Sequence, residues 1–395
     1  MRNRRLVQVA GLLCGVALLA AACGGDDSSS STTTGGGGGK TELSLAYVGP
    51  LTGDAANLGI LIRDGAKVAV KQFNDANPDY NITLKEFDTQ GDPAQAPTVL
   101  DKYIDDNSIV GLVGPAFSGE TKAVLPTLTE KGLVMISASA TNVDLPNVVS
   151  GGSKSFHRVL PDDNAQAKGI AKYLVNVLKP DSIAIIHDNS DYGKGLAVDQ
   201  LVPLLGGIKV ATTQAIDPKS QDYSAAVNAV KSSGAKTVFF GGYYEAAGRL
   251  RKQLKDAGVD ATFISGDGSL DPGFIKAAGD AAEGSLISCP CSFATVDAGG
   301  KLGDFAKAYK ELNGSDPGTY SAEAFDAANI LLAGIKAGNT NRRKLLDYVE
   351  GLKDVPEAIS KKVTFADNGN IEAQGIFIFE IKGGKIVQKV ATDDI

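Results

Sequence analysis

The chain has 395 residues, with 39 lysines and arginines against 46 aspartates and glutamates, and a formal net charge of −7. An acidic balance of this kind argues against nucleic acid as a partner, because such ligands are bound through clustered lysines and arginines. The roughly 350 residues that follow the first 40 exceed what one hydrophobic core usually organises, so we expect two domains.

The first 22 residues have the layout of a secretory signal peptide. Arginines at positions 2, 4 and 5 precede an apolar run over residues 6–22 that ends in three alanines, just before Cys23. A cysteine at the cleavage point, as in bacterial lipoproteins, becomes the lipidated first residue of the mature protein. A plain transmembrane anchor is the alternative, but the run is shorter than the roughly 20 residues that span a bilayer. We therefore predict lipidation at Cys23 and a mature chain outside the cytoplasm.

A tract dominated by glycine, serine, threonine and aspartate follows Cys23 as far as Lys40. Such residues cannot bury enough apolar surface to order themselves, so residues 23–40 are interpreted as a flexible linker. Its reach of roughly 20–25 Å would keep the folded part close to the membrane.

From Leu43 onward, short apolar runs alternate with amphipathic helical stretches. Several runs are continuously apolar, which is typical of strands buried on both faces of a parallel sheet. The predicted strands are 43–48, 82–88, 109–114, 134–137, 182–187, 237–240 and 262–265. The predicted helices are 63–74, 94–106, 119–131, 165–178 and 245–257, the second of them opened by Asp92-Pro93. This order predicts an α/β architecture with doubly wound sheets and right-handed crossovers.

Two strand–helix–strand units, over residues 109–137 and 237–265, resemble each other. Each ends in a small polar loop, at residues 137–142 and 266–269. Ligands of open α/β sheets bind beyond the carboxyl ends of the strands. Two such lobes facing each other therefore predict a small-molecule site in a cleft between domains.

Polar side chains in these loops are candidate ligand contacts, although each also has a purely structural interpretation. Ser118 stands at a helix N-terminus that could hold a carboxylate, or it is only an N-cap. The loop Ser139-Ala140-Thr141 could receive an ammonium group, or it is an ordinary turn. Asp267 between two glycines could pair with an ammonium group, or it is a turn aspartate. Aromatic side chains that could serve as lids, or could simply be half-buried surface residues, are Tyr192, Tyr243 and Tyr320.

The sequence offers little for catalysis. It has only two histidines, His157 and His187, and it contains no G-x-S-x-G or H-E-x-x-H motif, so we expect neither an enzyme nor a metal or other cofactor. Cys289 and Cys291 lack the spacing of a zinc site or of a thioredoxin-like pair. They could form a tight disulfide or remain two buried thiols.

Three stretches resemble the leucine/isoleucine/valine-binding proteins of bacterial ABC transporters: residues 48–53, His187-Asp188 with Tyr192-Gly193, and Gly241-Gly242-Tyr243. The similarity runs from about Leu43 to the end of the chain. It implies a type I periplasmic-binding fold, in which two Rossmann-like lobes with parallel sheets are joined by a three-stranded hinge. By this resemblance, lobe 1 takes residues 41–162 plus 290–373, and lobe 2 takes residues 163–289 plus 374–395.

The resemblance also implies roles for the candidate residues. Ser118 and Thr141 match residues that bind the α-carboxylate of an amino acid. Ser139 matches a backbone acceptor for its α-ammonium group, and Asp267 matches a glutamate that pairs with that group. Tyrosines of the second lobe that would close on the ligand are Tyr192 and Tyr243.

The sequence departs from the family where the side chain of the ligand would lie. Leu58 replaces a tyrosine, Phe117 replaces a cysteine, and Tyr320 stands where phenylalanine is typical. The two positions of the family's disulfide hold Gly91 and Phe117. The predicted side-chain pocket consists of Leu58, Ala116, Phe117 and Tyr320.

The resulting hypothesis is a monomeric, lipid-anchored binding protein that delivers an amino acid, branched-chain or similar, to an ABC permease. The alternative is an extracellular receptor for amides or aromatic acids on the same fold, with Phe117 and Tyr320 lining its pocket.

Overall fold

The computed structural model describes residues 39–372 and 375–395. The predicted signal peptide, the predicted lipidation site Cys23 and nearly all of the predicted linker lie outside the described residues. Residues Lys40–Ile395 form one compact unit. Within the described residues, no helix is both long enough and apolar enough to cross a bilayer.

Strands and helices alternate along most of the chain. The strands are β1 Thr41–Gly49, β2 Tyr80–Asp88, β3 Ile109–Val113, β4 Val134–Ser137, β5 Phe156–Arg158, β6 Ser182–His187, β7 Lys209–Ala215, β8 Thr237–Gly241, β9 Thr262–Ser265, β10 Leu286–Cys289, β11 Asp354–Val355, β12 Val363–Thr364, β13 Phe377–Lys382 and β14 Lys385–Ala391. The α-helices are α1 Ala56–Ala76, α2 Ala96–Leu100, α3 Ser118–Glu130, α4 Asp163–Tyr173, α5 Ser224–Ser233, α6 Tyr244–Asp256, α7 Pro272–Ala278, α8 Gly300–Asn313, α9 Ser321–Lys336 and α10 Arg342–Gly351.

Two large sheets organise the molecule. The first has five parallel strands in the order β2-β1-β3-β4-β5. The second has seven strands in the order β14-β13-β10-β9-β8-β6-β7, of which β13 and β14 run antiparallel to their neighbours. Every residue of β3 and β8 is buried, as expected for strands covered by helices on both faces. The predicted α/β class with two Rossmann-like halves is confirmed, with the second sheet mixed rather than wholly parallel.

The chain passes between the two sheets three times. It leaves the first sheet after β5, returns after β10 through helices that pack on α1 and β3, and rejoins the second sheet at β13. We call the half built on the first sheet lobe 1 and the half built on the second sheet lobe 2. The predicted residue limits of the lobes stay predictions.

One predicted helix is wrong in extent. Instead of a helix over residues 94–106, α2 covers only Ala96–Leu100, and single turns continue as far as Asp106. Asp92 accepts a hydrogen bond from the backbone N–H of Ala94 (2.9 Å), which makes a turn before the helix starts. Aspartates at 101, 105 and 106 follow the helix, where negative charge is unfavourable because of the helix dipole.

The second crossing carries the two cysteines of the folded part. Cys289 and Cys291 form a disulfide, which decides between the alternatives that the sequence left open. Both residues are fully buried.

Candidate functional site

Loops at the carboxyl ends of strands from both sheets line one small cavity. Its volume is about 10 Å³, close to the least space that a single water molecule needs. The residues that line it are Leu58, Phe117, Ser118, Ser139, Tyr192, Tyr243, Asp267, Gly268 and Tyr320. All of them except Gly268 are sequence-predicted site residues. The three others predicted from the sequence lie buried behind the lining and are Ala116, Ala140 and Thr141.

Glycines explain why the two tyrosines of lobe 2 reach the cavity together. A Cβ atom on Gly193 would overlap the Asp188 carboxylate and the carbonyl of Gly241, so both glycines are needed for this close approach. The contact brings the loop after β6 against the end of β8. Tyr192 directly precedes Gly193 and Tyr243 stands two residues after Gly241, and the two ring centroids are 5.2 Å apart.

Asp267 is the centre of a buried hydrogen-bond cluster. The Tyr192 hydroxyl donates to Oδ1 (2.8 Å), and the Tyr320 hydroxyl donates to Oδ2. The Tyr192 oxygen also accepts from the backbone N–H of Gly268 (2.9 Å). Burial raises the pKa of the Asp267 carboxyl, and the two tyrosine donors offset part of that shift. Tyr320 holds its position with a backbone φ of +68°, a conformation that is uncommon for a residue with a side chain.

Ser118 and Ser139 line the wall of the cavity that lobe 1 contributes. The Ser118 hydroxyl accepts from the backbone N–H of Asn142 (3.1 Å), and the Ser139 hydroxyl donates to the carbonyl of Ala116 (2.6 Å). Ser118 is the first residue of α3, and it makes no capping hydrogen bond. The N-cap interpretation of Ser118 is therefore wrong. The capping contact is made by Glu120, whose carboxylate accepts a hydrogen bond from the backbone N–H of Phe117, the residue just before the helix.

Arg158 orders the loop that contains Ala140 and Thr141. Its guanidinium donates to the carbonyl oxygens of Ala140 (3.1 Å) and Asn142 (2.9 Å). The side chain is fully buried at the end of β5. Sequence reasoning missed Arg158, since a single arginine on an edge strand gives no local signal of a role in a loop 16 residues away.

Asp163 is the second residue that the sequence analysis missed. It opens α4 in lobe 2, is fully buried, and its N–H donates to the carbonyl of Thr141 (2.9 Å). Neither carboxylate oxygen has a hydrogen-bond partner among the described residues, and the same holds for the Thr141 hydroxyl. Burial, followed by the charge of Asp267, raises the pKa of the Asp163 carboxyl. The acidic pair at positions 162 and 163, just before a predicted helix, was the available signal.

Aromatic rings fill the predicted side-chain pocket. The Phe117 and Tyr243 ring centroids are 4.4 Å apart, and Leu58 lies buried beside them. Gly91 faces the Phe117 ring, because a Cβ added to it would come within 3.0 Å of a ring carbon. The two positions that hold the family's disulfide are thus neighbours in this chain without being bonded.

Polar contacts join the two lobes around the rim of the cavity. Lys122 and Asp191 form an ion pair at 2.6 Å. The Asn142 side chain donates to the carbonyl of Asp191 (2.6 Å), and that of Asn57 donates to Asp271 (3.3 Å). The cleft is therefore closed in this structure.

Comparisons with known proteins agree with this architecture. Residues 42–385 match the family model described as periplasmic binding protein. The Leu/Ile/Val-binding protein BraC3 of Rhizobium johnstonii is 32% identical over 352 residues, which is 88% of this chain and 93% of that protein. The leucine-, isoleucine-, valine-, threonine-, and alanine-binding protein of Pseudomonas aeruginosa is 30% identical over 342 residues, 86% of this chain and 89% of that protein.

A solved structure gives the same result in three dimensions. The branched-chain amino acid transporter substrate binding protein LivJ of Streptococcus pneumoniae, in complex with isoleucine, superposes with a TM-score of 0.80 at 25% identity. The match covers 89% of this chain and 99% of that one. The chain therefore belongs to the periplasmic binding protein family, in which it resembles the Leu/Ile/Val-binding proteins.

Proposed function

We propose that this chain is an extracytoplasmic binding protein that captures a branched-chain or similar amino acid between its lobes and delivers it to an ABC permease. The observation that carries the proposal is that Asp267 and Ser118 line one cavity, on walls contributed by lobe 2 and lobe 1 respectively. An amino acid has an ammonium group and a carboxylate, and these two walls offer a partner to each.

The carboxylate of the ligand binds at the N-terminus of α3. The Ser118 hydroxyl can donate to it, and the first N–H groups of the helix have no partner within the helix, which favours an anion. The ammonium group binds between the lobes, where the Asp267 carboxylate of lobe 2 and the Ser139 carbonyl of lobe 1 accept its hydrogens. The Thr141 hydroxyl lies behind them.

The side chain of the ligand lies among apolar groups. Leu58, Phe117 and Tyr243 line this part of the cavity, and Tyr320 covers it from the loop before α9. An aliphatic side chain fits such a surface because it brings no polar group that would lose its hydrogen bonds to water. The names of the relatives above support amino acids over the alternative class of aromatic acids and amides.

The cleft closes through contacts from both lobes. The cavity of this closed structure, about 10 Å³, is smaller than an amino acid, so the lobes stand farther apart around a bound ligand than they do here. A ligand that touches both lobes draws them together from a more open form. We propose that this movement follows the predicted lobe limits, with residues 41–162 plus 290–373 against residues 163–289 plus 374–395. We assign the protein no catalytic step.

Calorimetry tests the amino-acid site. We expect leucine, isoleucine or valine to bind the wild-type chain, and we expect Asp267→Ala to abolish that binding. Asp256→Ala serves as the control, because Asp256 is an exposed residue of lobe 2 that pairs with Lys252. Binding of benzoate or an aliphatic amide, with none of any amino acid, would favour the alternative receptor. Unchanged leucine affinity in Asp267→Ala would refute the proposed ammonium partner.

We propose that the mature chain is a monomer held at the membrane by lipid on Cys23. The position of Cys23 after a signal-like segment supports this anchor. A Cys23→Ser variant should be released from the membrane or remain uncleaved, as measured by fractionation and mass spectrometry. A variant that is processed and anchored normally would rule the lipid site out.

A further inference from the structure

Asp163 lies buried beside the proposed ammonium site without a partner for its charge. Both carboxylate oxygens are buried and make no hydrogen bond to any described residue. An ionised carboxylate in such a place is costly unless a cation or several donors accompany it. A structural role for Asp163 therefore has no contact to support it beyond its own backbone.

The neighbouring cation does not supply that partner. Arg158 is the closest positive charge on β5, but its guanidinium donates to the Ala140 and Asn142 carbonyls and lies 3.5 Å from the Asp162 carboxylate. Arg158 lowers the pKa of Asp163 only as a charge at a distance, with no ion pair between them. Its Nη1 holds the loop and its Nε has no partner among the described residues, so no ion pair with Arg158 neutralises Asp163 in this structure.

Two other groups without a full set of partners surround Asp163. The Thr141 hydroxyl is close enough to Asp163 to lower its pKa as a donor, yet it is outside hydrogen-bond geometry in the closed structure. The Gln166 side chain donates to Ser288, while its Oε1 has no partner among the described residues. Asp267 adds the second buried carboxylate. Acceptors therefore outnumber donors around this side of the cavity.

The surroundings that bear on the charge of Asp163 come from five elements. These surroundings are Thr141 in the loop after β4, Arg158 in β5, Asp162 at the N-cap of α4 with Gln166 inside that helix, Asp267 after β9, and the uncharged Gly195 in the helical segment after β6. Two of these neighbours are acids and only one is a base. Two carboxylates that face one site favour a cation there, or else they share a proton.

On the basis of the proposed function, we propose that Asp163 is a positioning residue for the ammonium group of the ligand. When the ligand is bound, the Asp163 carboxylate accepts a hydrogen bond from the Thr141 hydroxyl, which turns the lone pairs of that oxygen toward the ligand. It also adds a second negative charge to that of Asp267. The site thereby requires a ligand with a free ammonium group and disfavours acids and amides that lack one.

This role links binding to protons. Where the two carboxylates share a proton, the arriving ammonium group replaces it, so the wild-type protein should release protons when leucine binds near neutral pH. Calorimetry in two buffers with different ionisation enthalpies measures that release. Titrations between pH 5 and pH 8 give the affinity profile.

The variant Asp163→Asn keeps the shape and removes the charge. We expect its leucine affinity to fall at least about tenfold, as is typical when a charge-assisted contact is lost, and its proton release to shrink. Its melting temperature should not fall, because the change removes an unpaired buried charge. Asp256→Asn is the control for loss of a carboxylate, since Asp256 is an exposed residue of lobe 2 that pairs with Lys252 outside the cavity lining.

A second variant, at Thr141, tests the inference without relying on Asp163→Asn alone. Thr141→Val removes the hydroxyl, and its loss of affinity should not add to that of Asp163→Asn in the double variant, because both act through one contact. Additive losses, or an Asp163→Asn variant with the affinity and pH profile of the wild type, would overturn the inference. A wild-type chain that binds no amino acid would instead overturn the proposed function, and this inference with it.

Discussion

The rings of Phe117 and Tyr243 contact each other across the cleft, with centroids 4.4 Å apart and planes inclined at 33°. Phe117 ends the loop before α3 in lobe 1, and Tyr243 directly precedes α6 in lobe 2. The pair therefore joins the lobes through an aromatic contact of ordinary length. Both rings also line the cavity in which we propose that the ligand binds, so we expect them to set the size of the ligand side chain that fits.

Phe117→Leu should change which amino acids bind. Removing ring volume leaves room for a bulkier ligand side chain, so affinity should shift from valine toward leucine and phenylalanine. Stability should fall by about 1–2 kcal/mol, because Phe117 is buried and the substitution leaves a cavity. Calorimetry with an amino-acid series and thermal melts measure both effects.

Phe87→Leu is the control for that variant. The Phe87 ring packs on Tyr103 within lobe 1, at 5.0 Å between centroids, away from the cavity. It should lose stability without a change in ligand ranking. The same ranking in Phe117→Leu as in the wild type would contradict the assigned pocket.

Tyr320→Phe should move the pH dependence of binding. The Tyr320 hydroxyl donates to Asp267 and lowers the pKa of a carboxyl that burial has raised. Without this donor the pKa rises further, so Asp267 is protonated at higher pH and amino-acid affinity is lost earlier on acidification. Titrations of affinity against pH should show the midpoint displaced upward. Tyr103→Phe is the control. Tyr103 is a buried tyrosine that packs beside Phe87, far from Asp267 in sequence, so its loss should leave the midpoint of the pH profile unchanged.

Glu120 should make the folded protein less stable as pH rises toward neutrality. Burial raises the pKa of this carboxyl to about 7, although Thr89 and the N–H of Phe117 donate to it. The folded state therefore holds a proton that the unfolded state releases above its ordinary pKa of 4.5. The stabilisation is fully present below pH 4.5 and is lost between pH 4.5 and pH 7.

Denaturant melts from pH 4.5 to pH 8 check this effect. Glu120→Gln should flatten the stability profile across that window, because glutamine still accepts from Phe117 and carries no titratable proton. Glu130→Gln, at the exposed end of the same helix, should keep the wild-type slope. Parallel profiles for all three proteins would show that Glu120 is ionised in the fold.

Lys122→Ala should weaken the closed form slightly. The Lys122–Asp191 pair joins the lobes at 2.6 Å, but it lies at an exposed rim and is screened by solvent. We expect a loss of under about 1 kcal/mol, or no more than about a fivefold weaker ligand affinity, seen mainly as faster dissociation. The difference from wild type should shrink at high salt.

Lys131→Ala tests whether that effect belongs to the rim. Lys131 follows the same helix and pairs with Asp105 of its own lobe at 3.6 Å. Stopped-flow dissociation rates should match the wild type in this variant. An equal change in both variants would mean that the general loss of charge, rather than the contact between lobes, alters release.

The local sequence pattern was sufficient to predict the strands and most of the helices. The apolar runs at 109–114, 134–137 and 182–187 are buried strands, because continuous apolar sequence of that length has few other stable places. The helix predicted over 94–106 was wrong, since its apolar spacing suits a helix while its aspartates suit turns. Periodicity measures which face is buried, and it says less about where a helix ends.

The sequence by itself determined the α/β class, the order of the elements and the polar loops that line the cavity. Only the tertiary structure brought Asp163, Arg158 and Tyr320 to the site around Asp267, and only it joined Cys289 to Cys291. The physical reason is that strand and helix patterns depend on neighbours within a few residues. The charge balance of a buried cavity depends instead on side chains that meet from distant parts of the chain, and that meeting exists only once both lobes are folded.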